Sequence, residues 1–174
     1  MYLFNQKVLN KFLLLSLRIS DIKAIDIIDD LSHILEDLFL IRAAREVLKI
    51  DVAMLDNFGK CCTWNNSRTK FQFDIQGYLN KYINKSQINA NKSTFLDKIE
   101  ELRIKAQNLE DRRYKIHGHD FTELLYVYIK DFLRKEIKSY TSDILASSLL
   151  GCVDAQELLQ ELMFQRLLSR MNYQ

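Results

Sequence analysis

The chain is predicted to fold as an all-α helical bundle. It has no proline and only four glycines in 174 residues. Its apolar residues recur at three- and four-residue spacing, and only one short segment alternates as a strand does. Proline and glycine are the residues that most often stop a helix, so their scarcity leaves long helices uninterrupted. Hydrophobic residues at 48% and charged ones at 28% are ordinary for a globular chain. The length suffices for one domain with a substantial core. A formal charge of +2 is compatible with a nucleic-acid partner without demanding one.

Tyr2 to about Ile19 reads as an opening helix. Phe12-Leu13-Leu14-Leu15-Ser16-Leu17 behind Lys7 and Lys11 is too short for a secretory leader. Arg18 and Asp21 interrupt it and no small-x-small cleavage site follows, so it is read as a buried helix. No run approaches the roughly 20 apolar residues of a membrane span, and no membrane partner is expected. Ser20-Asp21 can cap a second helix reaching about Lys49. Ile22, Ile25, Ile28, Leu31, Leu35, Leu38, Ile41 and Arg45 follow a three-or-four spacing along it. His33 within it is read as structural or superficial.

Residues 51 to 64 read as helical through Val52, Met54, Leu55 and Phe58, with Asn65-Asn66-Ser67 as a turn. Phe71-Gln72-Phe73-Asp74-Ile75 alternates like a strand but is isolated, so helix or irregular structure is expected from about 69 to 85. Residues 85 to 92 form the clearest loop. Thr94 and Asp97, with Ser93 as an alternative cap, start a helix striped by Phe95, Ile99, Leu102, Ala106, Leu109, Arg113 and Ile116. Asp120 and Glu123 can cap the next, which carries Leu124, Leu125, Val127, Tyr128, Phe132 and Ile137. Tyr126, Tyr128 and Phe132 are read as core, and Trp64 as a core edge. Ser142-Asp143 opens a short helix ending at Gly151. Asp154 caps a last one through Leu158, Leu159, Leu162, Leu167 and Leu168. The expectation is one domain over 1–174, built from about five to six main helices.

Several function classes drop out. Cys61, Cys62 and Cys152 are odd in number and form no Cys-x-x-Cys pair. They are read as reduced, small core residues of a cytoplasmic protein, with no metal site. There is no Gly-rich phosphate loop, Gly-x-Ser-x-Gly elbow, His-Glu-x-x-His or carboxylate-histidine cluster. Nucleotide hydrolases, zinc hydrolases and α/β-hydrolases are therefore disfavoured, and no cofactor is expected.

One segment stands apart. Glu110-Asp111-Arg112-Arg113-Tyr114-Lys115-Ile116-His117-Gly118-His119-Asp120 holds two of the three histidines, directly behind two arginines. Arg113 takes a position where Leu or Ile would continue the apolar stripe, and a guanidinium there needs a partner or solvent. On a continuous helix Arg113 and His117 share a face, as do Arg112 and His119. Arg112 and His117 diverge by roughly 140° on an ideal helix. They converge if the helix frays at Gly118, glycine being the usual residue just past a helix end, or if a second chain completes the site.

These residues resemble the HEPN family, all-α domains marked by an arginine, four to six residues, then a histidine near a helix end. Arg112-Arg113-Tyr114-Lys115-Ile116-His117-Gly118 is similar to the form Arg-Asn-x-x-x-His-Gly, with Ile116 at the usual apolar position. Arg113 to His119, followed by Asp120, approximates the form Arg-x-Lys-x-x-Ala-His-x-Asp. The abortive-infection-like branch is nearest, and the HEPN-like core spans about 20–140, with further helices over 141–174. The resemblance implies a metal-independent endoribonuclease of host-defence or toxin-antitoxin kind. It would act on RNA as a homodimer whose motifs face each other, with a protein antitoxin as a further partner.

In that reading Arg112 clamps the phosphate and His117 is the acid/base, since histidine titrates near neutrality and arginine offers a permanent bidentate charge. Arg113 and His119 support or exchange these roles, and Asp120 orients a histidine or caps the next helix. A second reading stays open: a non-catalytic bundle that binds protein or RNA. Cations near a helix C-terminus complement its dipole without any catalysis, and Arg113 stands where the family prefers asparagine or another polar residue.

Overall fold

The computed structural model describes residues 3–51, 53–54, 58–65, 70–86, 91–107, 116–133, 141–160, 165 and 169. In chain order they form α1 (Gln6–Leu15), α2 (Ala24–Val47), a 3₁₀ turn (Phe58–Cys61), β1 (Cys62–Trp64) and β2 (Phe71–Phe73). Then come α3 (Ile75–Ser86), α4 (Lys92–Ala106), α5 (Gly118–Val127) running into a π turn (Tyr128–Phe132), α6 (Ser142–Gly151) and α7 (Ala155–Gln160). The chain is an all-α bundle with one small hairpin. Among the described residues no helix is long and apolar enough to cross a membrane.

Helix α2 is the axis of the bundle and packs against α1, α4 and α5. Ala24, Ile27, Leu31, Ile34, Leu35, Leu38, Ile41 and Ala44 are buried along it, a stripe wide enough to meet neighbours on several sides. The predicted stripe was right from Leu31 to Ile41, but Ile25 is exposed and Ile28 only half-buried. The predicted Ser20-Asp21 cap is also displaced. The helix begins at Ala24, whose N–H donates to Asn10 Oδ1 of α1 at 3.2 Å, so a neighbouring helix satisfies an otherwise orphan donor.

Other helix boundaries differ in the same local way. Asn91, not Ser93 or Thr94, caps α4 and accepts from the Ser93 N–H at 3.0 Å. Thr141 caps α6 one residue ahead of the predicted Ser142. Asp154 does cap α7, accepting from the Gln156 N–H at 2.9 Å. With so few glycines, α2 closes with Lys49 in the left-handed region at φ 54°. The Lys49 and Ile50 N–H groups reach back to the carbonyls of Glu46 and Arg45 at 3.1 and 3.0 Å.

Two predictions fail between α2 and α3. Residues 58–64 are not a helix but a 3₁₀ turn followed by β1, and the segment at 71–73 is a strand after all. The two are linked, since a helix at 62–64 would remove the strand that pairs with β2. The strands pair antiparallel, Cys62 with Phe73, Thr63 with Gln72 and Trp64 with Phe71. β-branched and aromatic side chains suit such a half-buried ribbon. His33 is structural as predicted, its Nε2 lying 3.0 Å from the Phe71 carbonyl oxygen and joining α2 to the hairpin.

Trp64, Phe71 and Tyr128 form an aromatic knot, with ring centroids 5.0 to 5.7 Å apart. The Tyr128 hydroxyl donates to Asp30 Oδ2 at 2.7 Å. Burial, then that carboxylate, push its phenol well above the ordinary range.

The 3₁₀ turn approaches α5 closely at Gly59. A Cβ built there would lie 2.4 Å from Val127 Cγ2. Valine is stiff about χ1 and cannot swing away cheaply. Gly59→Ala is expected to lower unfolding free energy by about 1–3 kcal/mol, read from urea titration. An unchanged midpoint would show that the turn simply moves aside.

Among the described residues the cysteines are unbridged, with Cys61 and Cys152 buried. Burial first, then the neighbouring Cys61 and Glu123, push the Cys62 thiol up to about 12. The reactive thiolate is then scarce at pH 8. Alkylation of Cys62 by iodoacetamide is expected to run at least ~100-fold slower in folded than in urea-unfolded protein, as mass spectrometry would report. Equal rates would contradict this environment.

Candidate active site

The site is built where the C-terminal turns of α2 meet the first turn of α5. Phe121, Leu124 and Leu125 are fully buried and fix α5 against the bundle. Asp120 lies four residues before Leu124 and shares its face, so the same packing buries a carboxylate, 1% exposed. A buried charge must be paired. On α2, buried Ile41 and Ala44 orient the intervening Arg42 toward α5. Its Nε donates to Asp120 Oδ2 at 2.8 Å and its Nη2 to Oδ1 at 2.5 Å. This is the bidentate fork-to-carboxylate geometry that gives the strongest ion pairs. The Asp120 hydrogen bonds raise the Arg42 pKa against the opposing effect of burial, so its charge is permanent.

His117 is the N-cap residue of α5, in extended conformation at φ −83° and ψ 133°. Its carbonyl accepts from the Phe121 N–H at 3.1 Å, while its side chain makes no capping bond and stays 53% exposed. Nδ1 stands 3.7 Å from Asp120 Oδ1. That is too long for a hydrogen bond, yet within ion-pair range whenever the ring carries a proton. His119 is similarly open, its Nε2 3.7 Å from Glu123 Oε2. The Thr122 hydroxyl donates to the His119 carbonyl at 3.1 Å, firming the first turn.

Arg42, Arg45, His117, His119, Asp120 and Glu123 line one cleft of about 250 Å³. Arg45 also ion-pairs with Glu46. Each open imidazole is thus backed by a carboxylate, and a guanidinium stands beside them. Such a set can move protons at two points and neutralise a phosphate between them.

No protein-family model matches the chain, and no curated protein or solved structure matches it either.

Of the predicted site residues, His117, His119 and Asp120 come together here. Arg112 and Arg113 lie outside the described residues, as do Leu109 and the turn at Asn66-Ser67. Helix α4 ends at Ala106, so Ile116 does not continue its stripe. Gly118 opens α5 rather than following the end of α4. Both histidines therefore sit at the start of α5. Asp120 is no cap either: it is in the first turn of α5 and bound to Arg42.

Arg42 was missed. Its signal was a pair of arginines one turn apart, Arg42 and Arg45, closing a helix otherwise striped with Leu and Ile. The matching signal was a carboxylate at an apolar-stripe position, Asp120. Neither identifies the other, because 78 residues separate them.

Proposed function

We propose that the protein is a metal-independent endoribonuclease of HEPN type, in the manner of toxin-antitoxin or abortive-infection nucleases, acting on RNA. The observation that carries this reading is the convergence of two open histidines and Arg42 on one cleft, each imidazole within 3.7 Å of a carboxylate. The similarity of residues 112–118 to the family motif supports it, with Arg112 and Arg113 as further cations and a second protomer facing the first.

The chemistry needs no other group. One imidazole takes the proton from a ribose 2′-hydroxyl and the 2′-oxygen attacks the adjacent phosphorus. The bond from phosphorus to the 5′-oxygen breaks, and the second imidazole protonates that leaving oxygen. The products are a 2′,3′-cyclic phosphate and a free 5′-hydroxyl. Arginine meets the charge that develops on the phosphorane. Asp120 and Glu123 stand close enough to pair with either ring once it takes a proton, and Arg42 keeps Asp120 fixed. The guanidinium has more donors than its pair with Asp120 uses, so it can also face a phosphate.

One observation favours a second reading, a helical scaffold that binds RNA or protein without cutting. The guanidinium beside His117 is already committed to a buried carboxylate, and two carboxylates flank the imidazoles where a polyanion must approach. Incubation of purified protein with mixed single-stranded RNA in EDTA separates the two. Fragments ending in cyclic phosphate support the nuclease, and intact RNA supports the scaffold.

A further inference from the structure

A second groove, of about 620 Å³, adjoins the catalytic cleft and shares His119 and Glu123 with it. Its volume lies in the range of small-ligand sites, roughly 300–1,000 Å³. Val127 and the Cβ-free Gly59 give it an apolar side. Tyr126 adds a half-buried aromatic ring, and the exposed Lys130 places its Nζ over the face of that ring, 5.9 Å from its centroid. Lys60, exposed on the 3₁₀ turn, is a second cation, while Asp131 and Glu123 are carboxylates.

The lining decides the occupant. A site for bare phosphate is cationic throughout, and among the described residues this one sets two lysines against two acids. An aromatic face, hydrogen-bond acceptors and a few cations together fit one nucleotide of a single strand. The base stacks on the ring, displacing the flexible Lys130 from its face toward a flanking phosphate, while carboxylates accept from the exocyclic amine and Lys60 meets the other phosphate. Continuity through His119 places that nucleotide next to the bond being cut.

Resting on the ribonuclease reading for its location, we infer that this groove is a nucleobase subsite, holding the nucleotide that neighbours the scissile phosphate with its base against Tyr126 and its phosphates near Lys60 and Lys130. Base recognition then belongs to this groove and bond cleavage to the cleft beside it.

Binding tests it without cleavage. The full chain is titrated, by fluorescence anisotropy, into a labelled 2′-O-methyl oligocytidine and into an abasic phosphodiester of equal length. The blocked 2′-oxygen prevents reaction. Native protein is expected to bind the base-bearing oligomer about tenfold more tightly, from stacking alone. Tyr126→Leu removes that preference and leaves abasic binding unchanged, while Tyr126→Phe keeps it, which guards against loss through misfolding. Lys60→Ala with Lys130→Ala weakens both oligomers alike and flattens the salt dependence.

Equal affinity of native protein for the two oligomers, no binding of either, or a preference that survives Tyr126→Leu would each overturn the inference. Base preference without RNA cleavage in EDTA would uphold the groove and reject the nuclease. Cleavage without base preference would do the reverse.

Discussion

Replacing Arg42 with methionine is expected to cost about 2–3 kcal/mol of unfolding free energy, because it strands the Asp120 carboxylate in the core. Removing one partner of an enclosed ion pair typically costs roughly 3–5 kcal/mol. The Arg42 side chain is 28% exposed against 2% for Asp120, so water reaching the vacated position offsets part of that. Methionine keeps most of the packing volume, which isolates the charge effect. The double substitution Arg42→Met with Asp120→Leu is expected to recover much of the loss, since it removes the unpaired charge along with its partner. Urea unfolding of the native protein, both single variants and the double variant completes the cycle. An Arg42→Met protein as stable as native would mean that the pair does not hold α5 to α2, and the cleft would lose its rigid wall.

On the ribonuclease reading proposed above, the largest effect on activity is expected from the histidines. His117→Ala combined with His119→Ala should lower the rate of RNA cleavage by at least about 10²–10⁴-fold, the usual contribution of positioned acid-base groups. Both side chains are about half exposed, so stability should change by no more than about 0.5 kcal/mol. That contrast is what makes the experiment informative: Arg42→Met disturbs the fold as well as the site, whereas the histidine variant leaves the fold and removes the proton-transfer groups. Cleavage assays in EDTA beside far-UV circular dichroism read both quantities. Undiminished cutting by the folded double variant would reject the histidines as the proton-transfer groups. His119→Ala alone has a second use, because His119 lines both the cleft and the neighbouring groove.

Much of the architecture is legible from local patterning alone. The near absence of helix breakers and the three-or-four spacing of Leu31, Leu35, Leu38 and Ile41 are enough for an α-bundle with a long second helix. An acidic residue ahead of a helical run is enough to place the start of α7 at Asp154. His117, His119 and Asp120 also stand out locally, as titratable residues crowded into a few positions. Where local reasoning fails, the deciding partner is distant in sequence. Phe71–Phe73 is a strand because Cys62–Trp64 lies beside it, and its alternation could not reveal that neighbour. Ala24 begins α2 because Asn10 reaches across from α1.

The same separation explains the site. Periodicity and capping are set by neighbours within one or two turns, so a chain read residue by residue reveals them. Which arginine meets Asp120 depends on how α2 and α5 cross, and only packing sets that crossing. Burying the Phe121, Leu124 and Leu125 face carries Asp120 inside with it. Once there the carboxylate must find a cation, and Arg42, 78 residues away, supplies it.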